Sequence, residues 1–162
     1  MDNQISSNFL IWLEEREHTV SFEKNIAKRK GFDWKIAADP TSLIHWINQT
    51  FHNEIDVINC SRLGFVIDLM IHGYDHFEDV NIFDAPTNAG IDAGLIFVDR
   101  YLRSNQGALF FDIPICILTD REIDSDLEEN VKYLREDRGG ATIFLVRKLA
   151  PDNLFEEFLS YL

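Results

Sequence analysis

Five short strand candidates, separated by stretches with helical features, constrain the fold of this chain more than any other feature of its sequence. The continuous apolar run Ile113–Leu118 is typical of a strand that is buried on both faces of a sheet. Alternation of strands and helices predicts an α/β fold, in which a parallel sheet carries helices on both faces. The predicted strands are Phe9–Leu13, Asp33–Ala38, Leu63–Ile67, Ile113–Leu118 and Thr142–Val146.

The predicted helices lie between these strands and after the last one. Asp39 followed by Pro40 is typical of a helix start, because the aspartate caps free amides and the proline suits the first helical position. Gly31 is typical of a helix end, because glycine readily adopts the left-handed conformation found just past the last turn. Residues 72–90 are rich in Gly, Asp, Asn and Pro, so we predict a long loop there. The predicted helices are about Thr19–Lys30, residues 40–51, Ile91–Arg103, Glu122–Arg135 and Pro151–Leu162.

Length and charge narrow the range of functions. A chain of 162 residues predicts one domain, 1–162, with an extended loop at about 70–90. The net charge of −13 disfavours binding to nucleic acid or to an anionic membrane.

Two cysteines, Cys60 and Cys116, are too few for a disulfide framework, and Cys116 is predicted to be a buried thiol. No signal peptide and no apolar run of about 18 residues is visible, so we expect a cytoplasmic protein.

Polar residues follow the predicted strands at the edge where such sheets bind ligands. In an open parallel sheet that edge is formed by the carboxyl ends of the strands. Crowded carboxylates suit a hard cation such as Mg²⁺, while a lysine and a hydroxyl suit the oxygens of a phosphoryl group. The residues alone therefore predict a Mg²⁺-dependent phosphoryl site with an aspartate nucleophile. These residues are Glu14 and Glu15 after the first strand, Asp68 after the third, Thr119 after the fourth and Lys148 after the fifth.

At these positions the sequence resembles the receiver domain of response regulators. The best matches are "FVIDLM" around Asp68, "IPICILT" ending at Thr119 and "TIFLVRKLAP" around Lys148, and "AGLIFVDRYLR" is similar to the third helix of the family. The resemblance extends over nearly the whole chain. It implies a doubly wound, flavodoxin-like sheet of strand order 2-1-3-4-5.

The resemblance also implies roles and partners. Asp68 would accept a phosphoryl group from a histidine kinase or phosphotransfer protein, Thr119 would be the switch hydroxyl, and Lys148 would pair with the phosphate. The chain would then signal through a downstream protein, with a homodimer as a possible assembly. It would not be an enzyme beyond its own phosphorylation and dephosphorylation. The implied Mg²⁺ ligands are Glu14, Glu15, Asp68 and the main-chain carbonyl of Met70.

Several positions depart from the family pattern and leave a second interpretation open. The acidic pair usually contains aspartate, the residue after the switch hydroxyl is usually small rather than Asp120, and the lysine is usually followed by proline rather than Leu149. Leu145 holds the place of the switch aromatic, although Phe144 is adjacent. The alternative is a pseudo-receiver that binds partners without phosphorylation. A third hypothesis, hydrolysis of a phosphorylated small molecule, lacks a substrate pocket or separate general base in the sequence.

Overall fold

The computed structural model describes residues 6–72 and 90–162, together with the backbone of 76–77 and 83–86. Most of the predicted loop at 70–90 therefore lies outside the described residues. The strands are β1 Asn8–Leu13, β2 Asp33–Ala37, β3 Arg62–Ile67, β4 His76–Phe77, β5 Phe83–Pro86, β6 Ile115–Thr119 and β7 Ile143–Arg147. The α-helices are α1 Ser21–Arg29, α2 Pro40–Thr50, α3 Glu54–Ile58, α4 Ala93–Phe97, α5 Ser125–Glu136 and α6 Leu154–Tyr161.

The central sheet has five parallel strands in the order β2-β1-β3-β6-β7. If these strands alone are numbered, the order is 2-1-3-4-5, as predicted. All five predicted strands are present, with small differences at their ends. The strand β6, for example, begins at Ile115 and not at Ile113, since Pro114 has no amide to give to the sheet.

Two apolar layers cover the two faces of the sheet, so the predicted doubly wound arrangement is confirmed. Alternate residues of each strand point to opposite faces. Ile11 of β1 belongs to the layer under α2, α4 and α5, whereas its neighbours Leu10 and Trp12 belong to the layer under α1 and α6. Cys116 is fully buried in the second layer, and neither Cys116 nor Cys60 is in a disulfide.

The start of α2 agrees with the prediction, whereas other helices differ from it. Asp39 caps α2 as predicted, because its side chain accepts a hydrogen bond from the Ser42 amide at 2.8 Å. The predicted helix Ile91–Arg103 is divided into α4 and a π-helical stretch, Val98–Leu102. The short helix α3 was not predicted from the sequence.

The predicted long loop at 72–90 was wrong in one respect. The segments β4 and β5 within it form a two-stranded antiparallel sheet.

Among the described residues, no helix has both the length and the apolar character that crossing a membrane requires.

Candidate functional site

The ends of the parallel strands bring the backbones of three predicted site residues to one edge of the sheet. The amide of Glu14 donates to the carbonyl of Ala37, and the amide of Asp68 donates to the carbonyl of Leu13. The amide of Lys148 donates to the carbonyl of Thr119 at 3.0 Å. The sheet hydrogen bonding therefore continues one residue past β1, β3 and β7. This continuation fixes the positions from which Glu14, Asp68 and Lys148 extend their side chains.

The ammonium group of Lys148 lies at the centre of the site. Its Nζ is 2.7 Å from Oε2 of Glu14 and 3.0 Å from Oδ2 of Asp68. It also donates to the hydroxyl of Thr19 at 3.2 Å. Glu14 is 1% exposed, Asp68 3% and Lys148 7%, so this ion cluster is buried. Two carboxylates share one ammonium, which leaves the cluster with a net charge of −1 when all three groups are ionised.

Burial shifts the pKa values of both carboxylates upward, and the charge of Asp68 adds to the shift of Glu14. Removal from water, followed by the charge of Asp68, raises the pKa of Glu14 to about 7, although Lys148 opposes the shift. Removal from water likewise raises the pKa of Asp68, against the opposing effect of Lys148. Burial by itself lowers the pKa of Lys148, but the carboxylates of Asp68 and Glu14 outweigh burial and raise that pKa overall. Glu14 and Asp68 therefore hold a proton more strongly than they would in water, and Lys148 offsets only part of this effect.

Glu15 lies apart from this cluster. Its Oε2 accepts hydrogen bonds from the backbone amide of His72 at 2.7 Å and is 2.9 Å from the ring Nδ1 of the same residue. Slight burial would raise the pKa of Glu15, but the hydrogen bonds from His72 outweigh it and lower that pKa. Glu15 thus holds the chain just after β3, and its predicted role as a metal ligand stays a prediction.

Thr119 and Met70 are each positioned by a local hydrogen bond. The hydroxyl oxygen of Thr119, which is fully buried, accepts from the amide of Arg121 at 3.0 Å. The amide of Met70 is 3.5 Å from Oδ1 of Asp68. Arg121 in turn forms an ion pair with Asp92 at 3.0 Å, close to the start of α4. The turn after β6 is therefore tied to the helix that follows the phosphoacceptor candidate.

Gly94 allows α4 to approach the backbone that carries Asp68. A Cβ at this position would lie 2.1 Å from the carbonyl oxygen of Asp68, which no real contact permits. The amide of Gly94 donates to the carbonyl of Leu69 at 3.0 Å. This glycine is therefore required by close backbone contact and not by an unusual dihedral angle.

Asp120 lies at the mouth of the site, with its side chain 51% exposed. Its Oδ2 is 3.7 Å from Nζ of Lys148 and 3.8 Å from the guanidinium of Arg16. A third carboxylate thus faces the lysine from the solvent side.

Two residues near the site were missed by the sequence analysis. Thr19 comes six residues after the end of β1, and its contact with Lys148 was not predicted because the rule that selected Glu14 considers only residues that directly follow a strand. Glu23 is only 2% exposed, and its Oε1 accepts from the amide of Leu149 at 2.8 Å. The available signal was a charge at helical spacing between Val20 and Ile26, on the apolar face of α1.

The donor set is compatible with Mg²⁺ through two buried carboxylates, because the third one near Lys148, that of Asp120, is half exposed. Within residues 6–72 and 90–162, no three His, Cys, Asp or Glu side chains form a group that could hold a metal ion. Mg²⁺, however, commonly takes only one or two protein carboxylates, with phosphate oxygens and water completing its shell. Glu14 and Asp68 supply two carboxylates on one ammonium, which is the number that such a shell takes from a protein.

Sequence comparison and structure comparison give different results. No protein-family model matches this sequence, and no curated protein matches it. Solved structures do match. The BeF3-activated N-terminal receiver domain of Klebsiella pneumoniae RstA is 14% identical, with a TM-score of 0.55 over 95% of this chain and 97% of that chain. A response regulator receiver domain protein from Clostridium thermocellum is also 14% identical, with a TM-score of 0.54 over 95% and 92%.

A sensor protein from Polaromonas sp. JS666 is 12% identical, with a TM-score of 0.59 over 95% of this chain and 94% of that chain. Identities this low establish likeness of fold only. The chain therefore has the fold of response-regulator receiver domains, as the sequence resemblance predicted.

Proposed function

We propose that this chain is a receiver domain in which Asp68 accepts a phosphoryl group from a histidine kinase or phosphotransfer protein, in a Mg²⁺-dependent reaction. The observation that carries the proposal is the ammonium of Lys148, 3.0 Å from Oδ2 of Asp68 in a buried site at the carboxyl edge of the sheet. A lysine held against an aspartate in this way can pair with an oxygen of a phosphoryl group that the aspartate receives.

The chemistry assigned to the side chains is a single group transfer. An oxygen of Asp68 attacks the phosphorus of a phosphohistidine, and the phosphorus–nitrogen bond to the donor imidazole breaks as the new phosphorus–oxygen bond forms. The imidazole nitrogen keeps the electron pair of the broken bond. Lys148 would exchange its contact with Asp68 for one with a phosphoryl oxygen, and the hydroxyl of Thr119 would donate to another.

Glu14 and Asp68 would hold Mg²⁺ together with the main-chain carbonyl of Met70. Glu15 would join them only by giving up its hydrogen bonds with His72. When bound, the ion would neutralise negative charge on the transferring phosphoryl group. Contacts with a downstream protein would then report the phosphorylated state, because new partners for Thr119 and Lys148 can bias the surface around them.

The test is incubation with a small phosphodonor such as acetyl phosphate, with and without Mg²⁺, followed by intact-mass spectrometry. We expect a mass increase of one phosphoryl group that requires Mg²⁺ and is absent in Asp68→Asn. The matched control is Asp126→Asn, which removes an exposed carboxylate on α5 and should leave labelling unchanged. Equal labelling of Asp68→Asn and the unaltered chain would show that the site assignment is wrong.

One observation favours a second candidate function, a pseudo-receiver that binds partners without phosphorylation. Lys148 already contacts three carboxylates, those of Glu14, Asp68 and Asp120. An ammonium engaged in this way has fewer N–H groups free to donate to a phosphoryl oxygen. Failure of a folded sample to label with either acetyl phosphate or phosphoramidate would support this candidate, and stable labelling of Asp68 would exclude it.

A further inference from the structure

A buried glutamate on α1 is joined to the backbone next to Lys148. Glu23 is 2% exposed, and its Oε1 accepts a hydrogen bond from the amide of Leu149 at 2.8 Å, although the two residues are 126 positions apart. Its Oε2 is also buried and makes no hydrogen bond within the described part of the chain. Burying a carboxylate is costly unless it is paired. The hydrogen bond from Leu149 offsets part of this cost.

The backbone at Leu149 adopts a conformation that ordinary side chains disfavour. Its φ is +55°, in the left-handed region, and it is the one non-glycine residue with positive φ in the described segments. Its side chain is exposed, so the conformation is not explained by burial of the leucine. A backbone held in this region is kept there by its surroundings. The hydrogen bond to Glu23 is the contact that holds the amide of this residue.

The same hydrogen bond depends on a departure from the family pattern. Receivers usually have proline after the lysine, and proline has no amide hydrogen and a φ near −65°. Leu149 supplies the amide hydrogen that Glu23 accepts. The backbone of Lys148 is consequently held by two hydrogen bonds. Its own amide donates to the carbonyl of Thr119, and the next amide along the chain, that of Leu149, donates to the carboxylate of Glu23.

We propose that Glu23 is a positioning residue, which holds the Lys148–Leu149 backbone so that the Lys148 ammonium stays between Glu14 and Asp68. As a statement about phosphoryl transfer, the inference rests on the proposed function. The placement of Lys148 itself does not depend on that function and can be measured separately.

The experiment measures how readily the Lys148 amine reacts with an acylating reagent, by mass spectrometry of peptides, with exposed Lys132 as the internal reference. Glu23→Leu removes the acceptor and puts an apolar side chain of similar size in its place. We expect Lys148 labelling to rise about tenfold, the effect on a local opening equilibrium of losing one charge-assisted hydrogen bond. Glu23→Gln keeps an acceptor oxygen and should restore labelling to within about twofold of the unaltered chain.

Two controls separate positioning from a general loss of stability. Ile26→Ala removes buried side-chain atoms from the same helix without touching Leu149, and it should leave Lys148 labelling unchanged in a folded sample. Leu149→Gly keeps the amide and tolerates positive φ, so it should also leave labelling unchanged. If Glu23→Leu does not fold, Glu23→Ala removes the same acceptor with a smaller side chain and should give the same rise.

Unchanged Lys148 labelling in a folded Glu23→Leu variant would overturn the inference, as would an equal rise in Ile26→Ala. The rate of labelling by acetyl phosphate supplies the second readout. It should fall in Glu23→Leu and recover in Glu23→Gln. If the unaltered chain accepts no phosphoryl group, the proposed function fails, while the reactivity of Lys148 still decides whether Glu23 positions it.

Discussion

Replacing Glu14 with glutamine should change how the stability of this protein depends on pH. The folded protein raises the pKa of Glu14 from 4.5 to about 7, so between these values the folded chain binds a proton that the unfolded chain has lost. The free energy of unfolding therefore falls as pH rises through this window. The pKa of Asp68 is also raised, which acts in the same direction.

The shift gives the size of the effect. A rise from 4.5 to about 7 corresponds to a loss of at most about 3 kcal/mol of stability between acidic and neutral pH. Lys148 does not cancel this loss, because its raised pKa gives stability that is fully present at neutral pH and is lost only above 10.5. Glu14→Gln abolishes the titration, so the variant should lose about 2–3 kcal/mol less than the unaltered chain between pH 5 and pH 8.

The assay is urea unfolding at both pH values, in EDTA so that no divalent cation binds the carboxylates. Glu15→Gln is the matched control. The pKa of Glu15 is lowered, so its contribution is present above its unfolded value and lost as pH falls. Removing it should not reduce the loss of stability toward pH 8. Parallel curves for Glu14→Gln and the unaltered chain would refute the assignment of the buried charge cluster.

Three further substitutions test separate parts of the account. Gly94→Ala places a Cβ 2.1 Å from a main-chain carbonyl oxygen, so urea unfolding should show a loss of about 2 kcal/mol or more; a neutral result would mean that α4 does not approach β3 so closely. Asp39→Ala removes the cap of α2 and should cost about 1 kcal/mol in the same assay, whereas an unchanged midpoint would deny the cap any role. Asp120→Asn removes the exposed carboxylate that faces Lys148, so NMR titration with beryllofluoride in Mg²⁺ should show affinity raised about two- to fivefold, and weaker binding would contradict the predicted repulsion.

Much of the sheet could be predicted because each strand carries its own signal. The apolar run at 113–118 marks a buried strand without reference to the rest of the chain. The alternation of strands with helices then restricts the topology, and the ligand-binding edge follows from the topology. Asp68 and Lys148 were found by this route, although they lie 80 positions apart.

Other features depend on contacts that no local pattern records. The helix α3 has only five residues, and its Ile55 and Ile58 are exposed, so no amphipathic repeat marks it. The apolar spacing over 91–103 is compatible with both an α-helix and the π-helical stretch that continues it. The orientation of Glu15 is set by His72, and that of Glu23 by a backbone amide at the far end of β7.

The most direct test of the central claim is an amide NMR titration with beryllofluoride, a mimic of the phosphoryl group on aspartate, in the presence and absence of Mg²⁺. We expect saturable shifts around Asp68, Thr119 and Lys148 that require Mg²⁺ and disappear in Asp68→Asn. A folded sample whose spectrum does not respond would contradict the proposed phosphoryl site and would favour the pseudo-receiver alternative.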